Sequence, residues 1–380
     1  MKKIAIIGAS YLQIPLIKKA KEMGLETHVF AWKCGDPGET EADYFYPISI
    51  TEKEEILKCC KEISIDAICS IASDLAVHVV NYVAHNMGLT GNSRHSTEVS
   101  TNKYKMRQAF ISNGVPSPRF LETSPETIKE EVINIPLPVI VKPEDRSGSR
   151  GVTKVLKQSD IEDAVIKAAG YGFEKKALIE EYILGKEYSV ECISYKGKHH
   201  LLAVTEKYTT GEPHFIETGH MEPAVLDKKL LDQIQTTVFH ALDTLEIEYG
   251  ASHSEIKIDN GKITIVEIGA RMGGDFIGSD LVKISTGVDY VKAVIDVAMG
   301  IEPEIPVIKG KNYVAIHFIT QPKDIECYNR LKIEHPEYIV SSEISENPEF
   351  NVVDSSSRHG YFLMQASSKE ELDIYMPENK

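Results

Sequence analysis

Glu255 and Glu267, twelve positions apart and followed by Arg271, are the residues whose types and spacing point most directly to chemistry. They lie in HSEIKIDNGKITIVEIGARMGG, residues 253–274. Two carboxylates on one surface can hold a divalent cation against phosphate oxygens, and a guanidinium beside them can grip a carboxylate or a phosphoryl group in transfer. Whether the glutamates share a surface depends on the turn at Asn260-Gly261 between two strand-like runs, 253–258 and 262–268. A two-residue loop pairs Glu255 with Val266 and turns Glu267 to the opposite face, because side chains alternate along a strand. A three-residue loop, 259–261, with its glycine in the left-handed region, pairs His253 with Glu267 and puts both carboxylates on one side. The bulged turn is therefore expected. Its alternative is a solvated hairpin carrying two acidic residues.

Further candidates lie upstream. In VIVKPEDRSGSRGV, residues 139–152, Lys142 ends a strand and precedes a loop containing Ser147, Gly148, Ser149 and Gly151. Small residues let backbone N–H groups approach phosphate oxygens, while Lys142 adds a point charge and Arg146 or Arg150 a fork of donors. No GK[ST] follows, so this is not a Walker A loop, and a plain hairpin loop with exposed cations is its simpler reading. In ALIEEYILGKE, residues 177–187, an extended backbone around Glu181 and Ile183 can offer its edge to a heterocycle, and Glu187 beyond the Gly185 turn can accept from sugar hydroxyls. Alone, the segment would read as an acidic edge strand. Lys103 reads as a solvated lysine beside Lys105 and Arg107. His253 shares the face of Glu255, and Asp275 follows the glycines after Arg271; either can be purely structural.

The elements that must position these residues read as α/β. A β-α-β opening (strand 3–8, helix 14–23, strand 25–31, then alternation through 65–73) implies a parallel sheet. Its first loop, GASYLQIP, lacks the spaced glycines of a dinucleotide fingerprint and has Pro15 where the third belongs, so a nicotinamide site and a dehydrogenase are the weakest reading. A helical run at 101–114 ends at VPSPRF, where two prolines mark a boundary. A strand-rich α+β unit follows over 136–195, then a larger one with helices at 227–245 and 287–299, a linker at 301–310 and a weaker α+β segment to the end. The chain has 380 residues, 42% hydrophobic, enough for two or three cores, and its formal charge of −15 argues against nucleic acid or an anionic membrane as partner. No apolar run approaches the roughly 20 residues that span a bilayer. The N-terminal MKKIAIIGAS reads as a buried first strand, not a signal peptide. Six cysteines without metal-ligand spacing read as free thiols in a reducing cytoplasm.

Taken in order, these motifs resemble the ATP-grasp superfamily of carboxylate-amine ligases, and the likeness covers most of the chain. It implies an N-terminal parallel-sheet pre-ATP-grasp domain (1–95), a two-part α+β ATP-grasp core (96–135 and 196–300), a small nucleotide-clamping subdomain (136–195) and a C-terminal closing subdomain (301–380). It implies an ADP-forming ligase using ATP and Mg²⁺, with Mn²⁺ as a substitute, acting on small-molecule carboxylate and amine substrates, and a homodimer. Residue by residue, it places Lys103 and Lys142 on the nucleotide lysines and Ser147 to Gly151 on the flap. Glu180, Glu181, Tyr182 and Ile183 fall on the adenine-contacting linker, Glu187 on the ribose carboxylate, Glu255 and Glu267 on the metal ligands, and Arg271 on the arginine facing the acyl phosphate. GASHSEIKI with VEIGARMGGDFI looks most similar to L-amino acid ligases that make dipeptides, which implies a substrate-shaping role for His253. Gly269 stands where many members carry an asparagine, leaving that coordination position to a water. A carboxylase working through carboxyphosphate and a non-catalytic ATP-binding protein are the alternatives.

Overall fold

The computed structural model describes all residues except 131–132, 147, 149, 213–214, 307–311, 347, 349, 351, 353 and 379–380. Among the described residues the strands form three sheets, of four, eight and four strands. The first is parallel: Tyr44–Tyr46, Glu26–Phe30, Lys3–Ile7 and Ala67–Cys69 lie side by side. Its strands are short apolar runs covered on both faces, as parallel sheets require. On one face, Ile4, Ile6, Leu16 and Ile17 share a core with Val291, Val294 and Ile295 of the helix Tyr290–Ala298, so the N-terminal unit is docked on the rest through apolar contact.

The large sheet is antiparallel. Its order runs Lys262–Gly269, Gly250–Asp259, Lys186–Tyr195, Lys198–Thr209, Glu217–Glu222, Tyr313–Phe318, Gly360–Ala366 and Ile339–Ile344. The helix Lys228–Thr244 packs Ile234, Val238, Ala241 and Leu242 against Val190, Ile256, Ile265 and Ile268 of this sheet. The third sheet, Phe120–Thr123, Ala177–Glu181, Val139–Pro143 and Thr153–Val155, is covered by the helix Ile161–Tyr171, whose buried Ile161, Ala164, Val165 and Ala168 recur at helical spacing. Among the described residues no helix is long and apolar enough to cross a membrane.

Sheet membership departs from the segment boundaries read off the sequence. The small sheet takes in Phe120–Thr123, and Lys186–Tyr195 belongs to the large one. The change of sheet falls at Gly185, whose φ is +103° and where a Cβ would come 2.3 Å from the Ile258 carbonyl oxygen; only glycine lets the chain pass so close to the hairpin. Three strands after residue 301 likewise extend the large sheet and do not build a sheet of their own. Hydrogen-bond pairing with distant strands decides both, and neighbouring residues carry no mark of it. Part of the 301–310 linker, 307–310, lies outside the described residues.

Candidate active site

The glutamate hairpin closes through a two-residue loop, not the three-residue bulged turn expected: Asp259 pairs with Lys262, and Asn260 and Gly261 both have positive φ, +48° and +79°. That is the signature of a tight primed turn. The bulge lies farther along. Pairing runs regularly to Ile256 opposite Ile265 and then jumps to Glu255 opposite Glu267, leaving Val266 as the extra residue. Contacts from outside the hairpin hold it there. Arg107 Nη2 donates to the Val266 carbonyl, and the Ile265 N–H donates to the Pro116 carbonyl at 2.8 Å. Both carboxylates thus share one side, directly opposed, a spacing of about 5 Å.

Cations surround them. From the helix Lys103–Asn113, capped by the Asn102 side chain, Lys103 Nζ reaches Glu267 Oε1 at 2.8 Å and donates to the Arg146 carbonyl at 2.7 Å. One turn on, Arg107 Nε binds Glu180 Oε1 at 2.8 Å, and Lys142 Nζ takes Glu180 Oε2 at 2.7 Å. Burial, with Arg107 and Lys103 nearby, holds Lys142 below the ordinary lysine range in spite of Glu180. At the other end Lys207 Nζ meets Glu187 and Glu255, each at 2.9 Å, and Glu217 at 3.7 Å. Burial pulls Lys207 down, but the three carboxylates outweigh it and hold it well above its usual value. Burial likewise opposes ionisation of Glu255, yet Lys207 and then His253 keep its carboxyl well below the usual range.

His253 Nδ1 bonds Glu191, whose other oxygen accepts the Gly273 N–H at 3.0 Å, while Nε2 lies 3.7 Å from Glu255 Oε1. Burial lowers its pKa, but Glu191 outweighs this and pushes it up to about 9, so the ring is a cationic donor at neutral pH. Arg271 binds Asp74 through two hydrogen bonds, at 2.8 and 3.1 Å. Asp275 is held by Arg358 at 2.6 and 2.8 Å, with His220 Nε2 3.6 Å away.

The linker side chains spread along one wall. Glu181 takes Arg119 at 3.0 and 3.3 Å, the Tyr182 ring lies 3.8 Å beneath Lys154 Nζ, and the Ile183 carbonyl accepts from Lys257 at 3.3 Å. Glu180 binds Arg107 and Lys142 and lines the same cleft. Gly148 lines the cleft with φ +72°; Gly151, φ +73°, packs against the Tyr171 ring, where a Cβ would come within 2.9 Å. Ser147 and Ser149 lie outside the described residues.

Lys103, Lys142, Lys207, Glu255, Glu267 and Arg271 all line one cleft, open to solvent. Among the described residues no group of three or more His, Cys, Asp or Glu converges as a complete metal cage. Two opposed carboxylates with the remaining oxygens supplied by phosphate and water are nonetheless the donor set magnesium takes beside a nucleotide, and the flanking lysines suit its phosphates. The donor set fits the group.

Reading the sequence missed Lys207, Arg107, Glu191 and Asp74. Arg107 had a signal, since Lys103 and Arg107 are four apart on one helix face, both buried, with Lys105 exposed between them. Lys207 had none, standing in an ordinary strand pattern.

A parallel-sheet N-terminal unit, a large antiparallel sheet bearing opposed carboxylates and a small sheet folded over the cleft between them make up the ATP-grasp fold. Residues 135–280 match the ATP-grasp domain family. It is similar to the alanine–anticapsin ligase of Bacillus subtilis, 28% identical over 278 residues, 67% of this chain and 58% of that protein. The match therefore spans a little over half the length of the curated relative. Among solved structures it resembles an L-amino acid ligase from Bacillus licheniformis (TM-score 0.81, 22% identity, 99% of this chain and 96% of that one). It also resembles the biotin carboxylase domain of the Hydrogenobacter thermophilus 2-oxoglutarate carboxylase (TM-score 0.75, 18% identity, 96% and 86% covered). At these identities the structural likeness establishes the fold alone.

Proposed function

We propose that the protein is an ATP-dependent carboxylate-amine ligase, an ADP-forming enzyme that makes an amide bond, with amino acids as the first candidates for both partners. One observation carries the reading: Glu255 and Glu267 stand opposed between Lys103 on one side and Lys207 on the other, with Arg271 beside them. Mg²⁺ held by the two glutamates would screen the ATP phosphates and polarise the γ-phosphoryl group. A substrate carboxylate oxygen attacks the γ-phosphorus and the bond to ADP breaks, while Lys142 and Lys103 offset charge on the phosphoryl oxygens. The amine then attacks the acyl carbon, loses a proton, and phosphate leaves; Arg271 stabilises the oxyanion and the departing phosphate, and the cationic ring of His253 adds a donor beside them. Closure of the small sheet over the cleft would keep water from the acyl phosphate. The likeness to alanine–anticapsin ligase supports amide formation over carboxylation. The six cysteines stand free, which supports a reducing, cytoplasmic setting.

The test is ADP release over pairs of L-amino acids, with bicarbonate alone as the contrasting acceptor and mass spectrometry of the product. Glu267→Gln keeps the shape and removes a charged ligand, so turnover should fall on the order of 1000-fold, about 4 kcal/mol of transition-state stabilisation, with an unchanged circular dichroism spectrum. Near-normal activity in that variant refutes the metal assignment. ADP release driven by bicarbonate without an amine would move the reading to carboxylation, and ATP binding without turnover on any pair would move it to a regulatory protein.

A further inference from the structure

Arg271 joins the two halves of the chain. Its Nε donates to Asp74 Oδ1 at 2.8 Å, Nη2 to Asp74 Oδ2 at 3.1 Å and Nη1 to the Met272 carbonyl at 3.3 Å. A guanidinium has five N–H groups in one plane. Asp74 takes the pair on the Nε–Nη2 side and the carbonyl takes one from Nη1. The two left over, one on each terminal nitrogen, form the end-on fork, which matches two oxygens of one phosphate or carboxylate. No acceptor among the described residues takes them, and the side chain lines the cleft of the opposed glutamates.

The clamp is rigidly mounted. Asp74 opens the helix Asp74–Met87 of the N-terminal unit, directly after Ser73, whose hydroxyl caps it by accepting the Ala76 N–H. A carboxylate in a first helical turn is favoured by the helix dipole. The opposite wall has been cleared: a Cβ on Gly269 would lie 2.9 Å from Asp74 Oδ1 and 3.1 Å from Arg271 Cζ. Gly269 sits in a regular strand opposite His253, without a positive φ, so space and not backbone conformation demands glycine there.

We propose that Asp74 is a positioning residue for Arg271: it clamps the inner fork of the guanidinium from the N-terminal unit, so that the outer fork is fixed toward the phosphoryl group in transfer, with Gly269 leaving room for the clamp. The inference deepens the ligase reading and rests on it for the reaction involved. It makes the docking of the N-terminal unit part of the catalytic geometry, since loss of the clamp frees a long side chain to leave the line of attack.

Two measurements test it. In the first, ADP release from MgATP with an equimolar mixture of the twenty L-amino acids is compared for wild type, Asp74→Asn, Asp74→Glu, Gly269→Ala, Arg271→Gln and the double variant Asp74→Asn/Arg271→Gln. Asp74→Asn and Gly269→Ala should each lower kcat about 100-fold with KM for ATP within about twofold, Asp74→Glu should recover to within about tenfold of wild type, and the double variant should be no slower than Arg271→Gln alone. Independent, multiplying losses in the double variant would mean that Asp74 merely docks the domain, and would overturn the proposal. The second measurement needs no acid or amine: calorimetry of inorganic phosphate binding to the MgADP complex. Asp74→Asn should weaken phosphate about tenfold and leave ADP affinity unchanged; equal phosphate affinities overturn the clamp. If the wild type releases no ADP while phosphate binding responds as expected, the ligase reading fails and the clamp is supported.

Discussion

Two glutamates are withdrawn from water in different regions of this molecule, and their pKa values move in opposite directions. Glu180, 3% exposed in the wall of the cleft, lies between Arg107 and Lys142 at 2.8 and 2.7 Å. Burial alone would neutralise it, but Arg107 and then Lys142 hold its carboxyl below the ordinary range. Glu222, 0% exposed at the end of the strand Glu217–Glu222, receives hydroxyls, from Thr205 at 2.6 Å and Ser285 at 2.5 Å. There burial wins and pushes the carboxyl up to about 7. Burial raises the cost of a charge at both places; the partners decide whether the charge survives. Near the cleft the chain supplies two cations to one carboxylate, an excess that suits a polyanionic ligand. Away from it, hydroxyl donors leave burial to raise the pKa of the same side chain.

The largest effect should come from breaking the first arrangement. Glu180→Gln leaves two cations buried with no counter-charge and should cost about 3 to 5 kcal/mol of folding stability in a urea titration. In the wild type the Glu180 contribution is present above its unfolded value, 4.5, and is lost as pH falls through the depressed folded value. A loss below about 1 kcal/mol at pH 7 would mean that Arg107 and Lys142 do not need this carboxylate. Glu222 should behave with opposite sign. Its folded pKa of about 7 lies above the unfolded 4.5, so the folded protein keeps a proton that the unfolded chain gives up. That contribution is complete below about pH 4.5, fades as pH rises and is gone above about 7, a span of roughly 3.5 kcal/mol at 1.4 kcal/mol per unit. Glu222→Gln cannot titrate, so its stability should lack this decline between pH 5 and 7; an unchanged slope in the variant would place the proton elsewhere.

The same contrast marks what the sequence disclosed. Alternation and the Asn-Gly turn were legible because those signals are local, but with the two-residue loop that forms they would turn Glu267 away from Glu255; the bulge at Val266 puts the two on one face. The position of the bulge was not local: Val266 is displaced where Arg107 and the Pro116 segment hold the strand from outside. Lys142 was legible at the end of an apolar strand, whereas Lys207 was not, since only the meeting of three carboxylates from three other strands makes it unusual. Asp74 opens a helix in the way many capping-region aspartates do, and nothing nearby announces an arginine 197 residues away. The parallel opening and both hairpin strands were readable from hydrophobic period. The reassignment of Lys186–Tyr195 to the large sheet depends on Gly185 passing against Ile258, a contact between residues with no shared pattern.

The smallest expected effect sharpens the comparison most. Ser285→Ala removes one of the two hydroxyls that donate to Glu222 and leaves the carboxyl buried. At pH 5, where the group is neutral, the loss should be that of one ordinary hydrogen bond, about 1 kcal/mol. At pH 8 the carboxylate is charged and depends on both donors, so the same substitution should cost more, about 1.5 to 3 kcal/mol. Removing a donor to the charged form also raises the pKa further, which moves the decline in stability to higher pH. Urea titrations of wild type and variant at the two pH values give the answer directly. A penalty that is equal at both would mean that Glu222 keeps one charge state across the range and that its hydroxyl partners do not discriminate between them.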